Sequence, residues 1–115
     1  MAENQGQDLG ATDTGIKPNI AALLAYLLGF ISGLVFLLIE KKNKFVRFHA
    51  MQSIVTFGAL FVAQWVLTLV PFLGLLVSGL LSIFGVGLWV VLMVKAYQGE
   101  KYKLPWLGEL AEKNS

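Results

Sequence analysis

The sequence predicts an all-α integral membrane bundle of three transmembrane helices with a short C-terminal amphipathic helix. Two observations predict this class. Of the 115 residues, 57% are hydrophobic and only 14% are charged, whereas soluble domains are roughly 45–50% apolar and about a quarter charged. The apolar residues also form long runs, one of which extends from residue 54 to residue 94 without a charged side chain. A chain this short would expose much of that surface in water, so its composition favours a bilayer.

The chain divides by composition into three parts. Residues 1–17 are rich in Gly, Asp, Asn, Gln and Thr without apolar periodicity, which predicts a disordered N-terminal tail. Residues 18–97 form the predicted transmembrane domain. Its first span covers residues 20–39, an uncharged run of about the 20 residues that cross a hydrocarbon core of roughly 30 Å. Pro18 precedes this run and suits the first helical position. Residues 98–115 form the third part, a cytoplasmic tail with an interfacial helix.

The second and third spans come from one apolar stretch that is too long for a single helix. The basic segment of residues 40–47 predicts a turn after the first span, with Asn43 as a turn residue. Pro71 and Gly74 break the following stretch, which predicts spans over residues 46–70 and 73–94. Gly99 then suits the position just after the end of the third helix.

The C-terminal residues 104–113 predict a short amphipathic helix, because Leu107, Leu110 and Ala111 recur at helical spacing. Pro105 is predicted at its first position. Trp106 is predicted to anchor this helix in the headgroup layer.

The basic residues predict the orientation of the three spans. With three spans, the loop after the first and the tail after the third lie on one side of the membrane. By the positive-inside rule that side is the cytoplasm, and the N-terminus lies outside. The basic residues on this predicted cytoplasmic side are Lys41, Lys42, Lys44, Arg47, Lys95, Lys101, Lys103 and Lys113.

The candidate site is the segment Phe45-Val46-Arg47-Phe48-His49-Ala50-Met51-Gln52-Ser53 at the start of the second span. In a helix, His49, Gln52 and Ser53 share one face. In one interpretation Arg47 extends to lipid phosphate, Phe45 and Phe48 lie at the interface, and His49 caps a contact with a neighbouring helix. In the other, Glu40, Arg47, His49 and Gln52 form a polar network that ties the first span to the second or docks a partner.

Small and polar residues inside the spans predict helix packing. Gly29 and Gly33 form a GxxxG pattern in the first span, and small residues recur at four-residue spacing in the third. Gln64 is predicted to face another helix, because polar groups in lipid point toward other helices. A compact bundle and a homo-oligomer both remain open. The predicted packing residues are Gly29, Gly33, Gln64, Gly74, Ser78 and Ser82.

The sequence predicts no enzyme, no cofactor, no metal and no nucleic-acid partner. It has no cysteine and only one histidine, which disfavours thiolate, metal and haem sites. It also has no phosphate-binding glycine loop, no nucleophile elbow and no carboxylate pair. The second and third spans contain no Asp, Glu, Lys or Arg to line an ion path.

Two motifs carry a family resemblance. The run EKKNKFVRFHAMQ at residues 40–52 holds Phe-x-Arg-Phe-His-Ala-x-Gln, and AYQGEKYKLP at residues 96–105 holds Gly-Glu-x-Tyr-x-Leu-Pro. Over residues 20–113 the chain resembles a family of short bacterial and archaeal membrane proteins of unknown function. That family is similar to the twenty-kilodalton Tic subunit of the chloroplast protein-import translocon. The matching residues are Arg47, His49, Gln52, Gly99, Glu100 and Pro105.

The resemblance implies a polytopic helical protein. The plastid proteins are described with four spans and carry a transit peptide, whereas this chain has three predicted spans and no transit peptide. A prokaryotic cytoplasmic membrane is therefore expected.

Two functions are favoured over a third, a membrane-bound redox or metal protein that relies on His49. One is an accessory or assembly subunit that meets a membrane or cytoplasmic protein and is linked by resemblance to protein translocation. The alternative is a homo-oligomeric channel or transporter. The first is favoured because the spans lack charge.

Overall fold

Residues 9–115 are described by a computed structural model, and within them the secondary structure consists of five α-helices without a strand. The predicted all-α class is confirmed. The predicted number of three transmembrane helices is wrong, because only two of these five helices, Lys44–Leu67 and Leu73–Tyr97, are long and apolar enough to cross a membrane. The helices are α1 (Pro18–Leu27), α2 (Phe30–Ile39), α3 (Lys44–Leu67), α4 (Leu73–Tyr97) and α5 (Leu107–Asn114).

The predicted first span is two short helices, α1 and α2, separated by a break at Gly29. Each has ten residues and is therefore about 15 Å long, half of a hydrocarbon core. Gly29 has a φ of +65°, a conformation that glycine adopts without steric cost. Ser32 stabilises the break, since its Oγ accepts the N–H of Leu28 and donates to the carbonyl of Ala25, both at 2.9 Å. Hydropathy measures only the length of an apolar run and does not detect this break.

Both ends of the α1–α2 hairpin lie at the same end of the molecule. The N–H of Asp13, before α1, donates to both carboxylate oxygens of Glu40, after α2, at 3.1 and 2.9 Å. The side-chain amide of Asn43 donates to the carbonyls of Leu9 and Ala11. The chain therefore enters and leaves at one end, and the prediction that the N-terminal segment and the loop after residue 39 lie on opposite sides is wrong. These contacts also differ from the predicted disorder of residues 9–17, while residues 1–8 lie outside the described part.

The two long helices end close to the predicted positions. α3 begins after Asn43, whose Oδ1 accepts the N–H of Val46 at 3.0 Å as an N-cap. α4 ends at Tyr97, and Gly99, which has a φ of +80°, lies just after the helix as predicted. The N–H of Glu100 returns to the carbonyl of Lys95 at 3.0 Å, which closes the Schellman pattern typical of such ends.

One tetrapeptide, Pro-aromatic-Leu-Gly, forms the turn into both α4 and α5, and its Leu and Gly are the first two residues of each helix. In the first, Phe72 has a φ of 63° and the N–H of Leu73 bonds to the carbonyl of Pro71 at 2.7 Å. In the second, Trp106 has a φ of 62° and the corresponding bond, from Leu107 to the carbonyl of Pro105, measures 2.6 Å. These are γ-turns with a positive φ, which are rare and strained.

The second of these turns corrects the predicted C-terminal helix. The helix begins at Leu107 and not at residue 104, so Pro105 precedes it instead of occupying its first position. Trp106 is 88% exposed at the apex of the turn.

The short elements pack around one half of the α3–α4 pair. Asn19 at the start of α1 donates to the carbonyl of Tyr97 at 3.0 Å, and Trp89 donates to the carbonyl of Tyr26 at 2.8 Å, so α1 runs antiparallel to the last turns of α4. We call this half, which contains Glu40 and Tyr97, the proximal half. The half that contains the turn at Pro71 is the distal half.

Candidate functional site

The centre of the proximal half is a buried hydrogen-bonded chain of three side chains from α1 and α3. The hydroxyl of Tyr26 donates to Nδ1 of His49 at 2.6 Å, and Nε2 of Gln52 donates to the Tyr26 oxygen at 2.9 Å. All three side chains are 0% exposed. Such polar groups are stable away from water only when each finds a partner, and here α1 supplies the partner for α3.

The same side chains bind the segment of residues 100–104 through its backbone. The carbonyl of Glu100 accepts from Nε2 of His49 at 2.9 Å. Gln52 donates to the carbonyl of Tyr102 at 2.9 Å and accepts the N–H of Leu104 at 3.1 Å. The two motifs of the sequence are therefore in direct contact, and the first motif recognises the main chain of the second.

A second network holds the loop between α2 and α3. The guanidinium of Arg47 donates to the carbonyls of Leu37 at 2.9 Å and Glu40 at 2.7 Å. Its Nε donates to the carbonyl of Ser115 at 2.9 Å, so it also fixes the end of the chain. Arg47 thus caps the end of α2, because it supplies hydrogen-bond donors to carbonyls that have no partner within the helix. The four residues predicted as one network belong to two, with Glu40 and Arg47 in one and His49 and Gln52 in the other.

The carboxylate of Glu40 is fully buried and collects backbone N–H groups. They come from Asp13, Thr14, Lys42 and Asn43. Burial by itself would raise the pKa of Glu40, but these backbone N–H groups together hold the pKa below its ordinary value of 4.5. A charged Glu40 therefore fastens residues 13 and 14 to the loop before α3.

Phe45 and Phe48 form an aromatic shell around His49. Their ring centroids lie 4.6 and 5.1 Å from that of the imidazole, both edge to face. Phe45 is 8% exposed and Phe48 is 0% exposed. The interpretation that placed these two rings at the lipid interface is therefore wrong, because they enclose the polar chain and keep water from it.

The predicted packing residues act in different places. A Cβ on Gly33 would lie 2.7 Å from the carbonyl oxygen of Ala50, so this glycine lets α2 approach α3 closely. In the distal half, Gln64 of α3 donates to Oγ of Ser82 at 2.7 Å and accepts from Oγ of Ser78. Gly29 forms the break in the hairpin, and its carbonyl accepts from Oγ of Ser53 of α3 at 2.8 Å.

Exposed lysines surround this site at the proximal end. Glu112 of α5 pairs with Lys101 and Lys103, with nitrogen–oxygen distances of 2.5 Å in both pairs. Hydrogen bonds from these two ammonium groups lower the pKa of Glu112 to about 2. Three further exposed lysines, in the α2–α3 loop and at the start of α3, have no carboxylate within ion-pair distance in the described part of the chain. They are Lys41, Lys42 and Lys44.

Sequence reasoning missed Tyr26, Asp13 and the main role of Asn43. Tyr26 lies in an apolar run where an aromatic residue is typical of any membrane helix. A signal did exist, because His49 and Gln52 at the membrane boundary need polar partners and Tyr26 is the only hydroxyl-bearing aromatic residue before them. Within residues 9–115, no group of three or more His, Asp and Glu side chains is placed to hold a metal ion.

Comparisons with known proteins identify relatives of this chain. The model of the magnetosome magnetite crystal formation protein family matches residues 16–111. A UPF0132 membrane protein of Methanocaldococcus jannaschii is 47% identical over 107 residues, which cover 93% of this chain and 96% of that protein. A second from the same organism is 46% identical, with coverage of 86% and 71%. One from Archaeoglobus fulgidus is 43% identical, with coverage of 84% and 94%. No solved structure matches the chain.

Proposed function

This chain belongs to the family of UPF0132 and magnetosome magnetite crystal formation membrane proteins, and from that premise we propose that it is a non-enzymatic accessory or assembly protein of the membrane. Its relatives are named as membrane proteins, and two of its helices are long enough to cross a bilayer. The description of the magnetosome family supports an accessory role in a membrane that carries a specialised process. We extend that role, and not the mineral chemistry, to this chain.

The observation that carries the proposal is the concentration of exposed positive charge at the proximal end. Lys41, Lys42 and Lys44 lie in the short segment between α2 and α3, and Lys101 and Lys103 lie in the segment after α4. By the positive-inside rule this end faces the cytoplasm. Because residues 9–17 and α5 lie at the same end, we place both the N-terminal segment and the C-terminus on the cytoplasmic side.

The buried networks hold this charged surface in one shape. Glu40 and Asn43 fix the loop that presents Lys41 and Lys42, and His49 and Gln52 fix the segment that presents Lys101 and Lys103. A partner with an acidic surface would contact the lysines and not His49 or Gln52, because these two side chains are fully buried. His49 and Gln52 thus position the segment that carries the lysines, and charge complementarity between the lysines and the partner supplies the recognition.

The test is a capture experiment that separates charge from shape. Tagged protein is purified in mild detergent after brief crosslinking, together with the variants Lys41→Glu/Lys42→Glu and Lys41→Arg/Lys42→Arg. We expect a defined protein that is retained by the wild type and the arginine variant and lost from the glutamate variant. Retention of the same proteins by all three variants, or of the chain alone, would contradict the proposal.

The channel alternative has weaker support. In the distal half, Gln64 of α3 bonds to Ser78 and Ser82 of α4, so these three polar side chains are not free to line a pore. Electrical recordings from purified protein in liposomes would test this alternative, and single-channel currents would favour it. The link to protein translocation stays a prediction from the resemblance to the Tic subunit.

A further inference from the structure

We infer that this protein responds to membrane curvature: it is a wedge whose proximal half is wider than its distal half, so it favours a bilayer that is convex on the proximal side. This inference goes beyond the accessory role and requires no protein partner. It rests on where the short elements end along the two long helices.

The first observation is the distribution of buried residues. In the part of the chain that the structure describes, every buried residue except Gly74 lies within residues 18–56 or 92–111. Residues 57–91 of α3, the turn and α4 are otherwise exposed or half-buried. Large apolar side chains at the distal end are among the most exposed, with Leu69 at 74%, Phe72 at 90% and Leu75 at 79%. Only two helices therefore make up the distal half.

The second observation is the depth that the short elements reach. The α1–α2 hairpin turns beside Trp89, which bonds to the carbonyl of Tyr26, and beside Phe61, whose ring lies 5.5 Å from that of Phe30. Trp89 lies eight residues before the end of α4 at Tyr97, or about 12 Å along the helix axis. The hairpin therefore stops near the middle of a hydrocarbon core that is roughly 30 Å thick.

The C-terminal segment stops at a similar depth. Pro105 and Leu107 line one apolar cavity together with Ala59, Ala63 and Phe84. From there α5 returns toward the proximal end, where Ser115 meets Arg47. The helices α1 and α2 and the apolar residues of the 104–107 segment thus join α3 and α4 in one leaflet, while the other leaflet contains α3 and α4 alone.

This asymmetry has a mechanical consequence. A helix with its side chains is about 10–12 Å across, so the proximal leaflet accommodates at least twice the protein cross-section of the distal one. Protein inserted into one leaflet expands that leaflet relative to the other, and the mismatch is relieved when the membrane bends around the wider side. Elements that insert to part of the bilayer depth are sensitive to curvature for the same reason.

Lipid chains are the occupants that we assign to the distal surface. The α3–α4 pair holds itself together there through Gln64, Ser78 and Ser82, and so needs no third helix to satisfy polar groups. The exposed side chains of this half carry no charge. An apolar surface without charge packs well against acyl chains. Because lipid and not a further helix lies beside α3 and α4 there, the distal half has the cross-section of two helices only.

The test compares the two orientations of one protein. The full chain, labelled at a single introduced cysteine, is reconstituted into giant vesicles of phosphatidylcholine and phosphatidylglycerol, and thin tubes are pulled from them. Protease digestion from outside reports the orientation of each preparation. We expect severalfold enrichment in the tube when the proximal end faces outward and depletion when it faces inward. Equal density in tube and vesicle for both orientations would overturn the inference.

A crosslinking measurement tests the occupant separately. The chain has no cysteine of its own, so Leu76→Cys and Leu80→Cys place single thiols on distal positions that are 64% and 62% exposed. At low protein density in the bilayer we expect no disulfide-linked dimer from either variant. Efficient dimer formation at both positions would show that a second copy fills the distal leaflet, and that result would also overturn the wedge.

Discussion

At His49, the two ring nitrogens have partners of opposite kind, and this assigns one tautomer. Nε2 faces the carbonyl of Glu100 and must carry the proton, so Nδ1 accepts the hydroxyl proton of Tyr26. The hydroxyl oxygen in turn accepts from Gln52. Every donor in this chain has an acceptor, and in a region of low dielectric such a network is stable only when it is complete.

Tyr26→Phe breaks this chain without changing the size of the ring. We expect the thermal unfolding midpoint in detergent to fall, because Nδ1 of His49 is left buried without a donor, a loss of about 1–3 kcal/mol. The matched control is Tyr97→Phe, since Tyr97 is 44% exposed. Equal midpoints for the two variants would show that the network does not stabilise the fold.

Glu40 gives the N-terminal segment a dependence on pH. The pKa of Glu40 in the folded protein lies below its ordinary value of 4.5, so its bonds to residues 13 and 14 stabilise the segment at pH above 4.5. This stabilisation is lost as the pH falls through the lower folded value. We expect hydrogen exchange of residues 9–17, corrected for intrinsic rates, to lose protection over that acidic range.

The variant Glu40→Gln separates this effect from general acid unfolding. It should show weak protection of residues 9–17 at neutral pH and no further step on acidification. Glu109→Gln is the control, because Glu109 is exposed on α5 and makes none of these bonds. A wild-type step that persists unchanged in Glu40→Gln would assign the titration to another group.

Some residues of this candidate site stand out in the sequence, but their partners do not. Arg47, His49 and Gln52 stand out because polar side chains are rare at the boundary of an apolar run. Tyr26 and Asp13 do not stand out, because their role depends on a hairpin that brings residues 13 and 26 beside residues 40 and 49. Contacts over such sequence distances follow from the fold and not from local pattern.

At the scale of elements, the α1–α2 hairpin shows where hydropathy fails. Residues 20–39 have the length and composition of a span, yet Gly29 and Ser32 divide them. A serine three residues after a glycine was the available signal, since a hydroxyl can satisfy backbone groups at a helix break. The predicted GxxxG pattern assigned Gly29 and Gly33 to helix packing. Only at Gly33 does α3 approach so closely that a Cβ would not fit.

Gly29→Leu/Ser32→Leu should convert the hairpin into a continuous span. Leucine disfavours the φ of +65° at position 29, and the second change removes the hydroxyl that satisfies the break. We expect a cysteine introduced at Thr12 to move to the opposite side of the membrane, as measured by impermeant maleimide labelling. The control Ile31→Leu/Val35→Leu alters exposed positions of α2 and should leave Thr12→Cys on its original side.

The close approach of Gly74 to Leu67, in the turn into α4, leads to a second prediction. A Cβ on Gly74 would lie 2.1 Å from the carbonyl oxygen of Leu67, so Gly74→Ala forces the turn apart and should destabilise the protein by about 1–3 kcal/mol. A Cβ on Gly79 would have nothing within 4 Å, and Gly79→Ala should raise stability by up to about 1 kcal/mol through helix propensity. Denaturation in mixed micelles measures both, and equal effects would contradict the close approach at Gly74.

At the scale of the whole molecule, the sequence predicted the long helices well. Charged residues mark the proximal ends of α3 and α4, and Pro71 marks the turn between them, so the predicted ends lie within three residues of those observed. The short elements could not be placed in this way, because their positions depend on tertiary hydrogen bonds. As a result the predicted compact bundle of three spans is instead a pair of helices long enough to span a membrane, with the remaining elements packed into one half.

The side of the membrane on which the N-terminal segment lies shows whether residues 18–39 form a hairpin or cross the membrane. Impermeant labelling of single cysteines in oriented membranes measures that side most directly. Cysteines are introduced one at a time at Thr12, Lys42 and Phe72. We expect Thr12→Cys and Lys42→Cys to react from the same side and Phe72→Cys from the other, because residues 9–17 lie against the loop after α2. Reaction of Thr12→Cys from the side opposite to Lys42→Cys would mean that residues 18–39 cross the membrane, and the hairpin and the wedge would both be wrong.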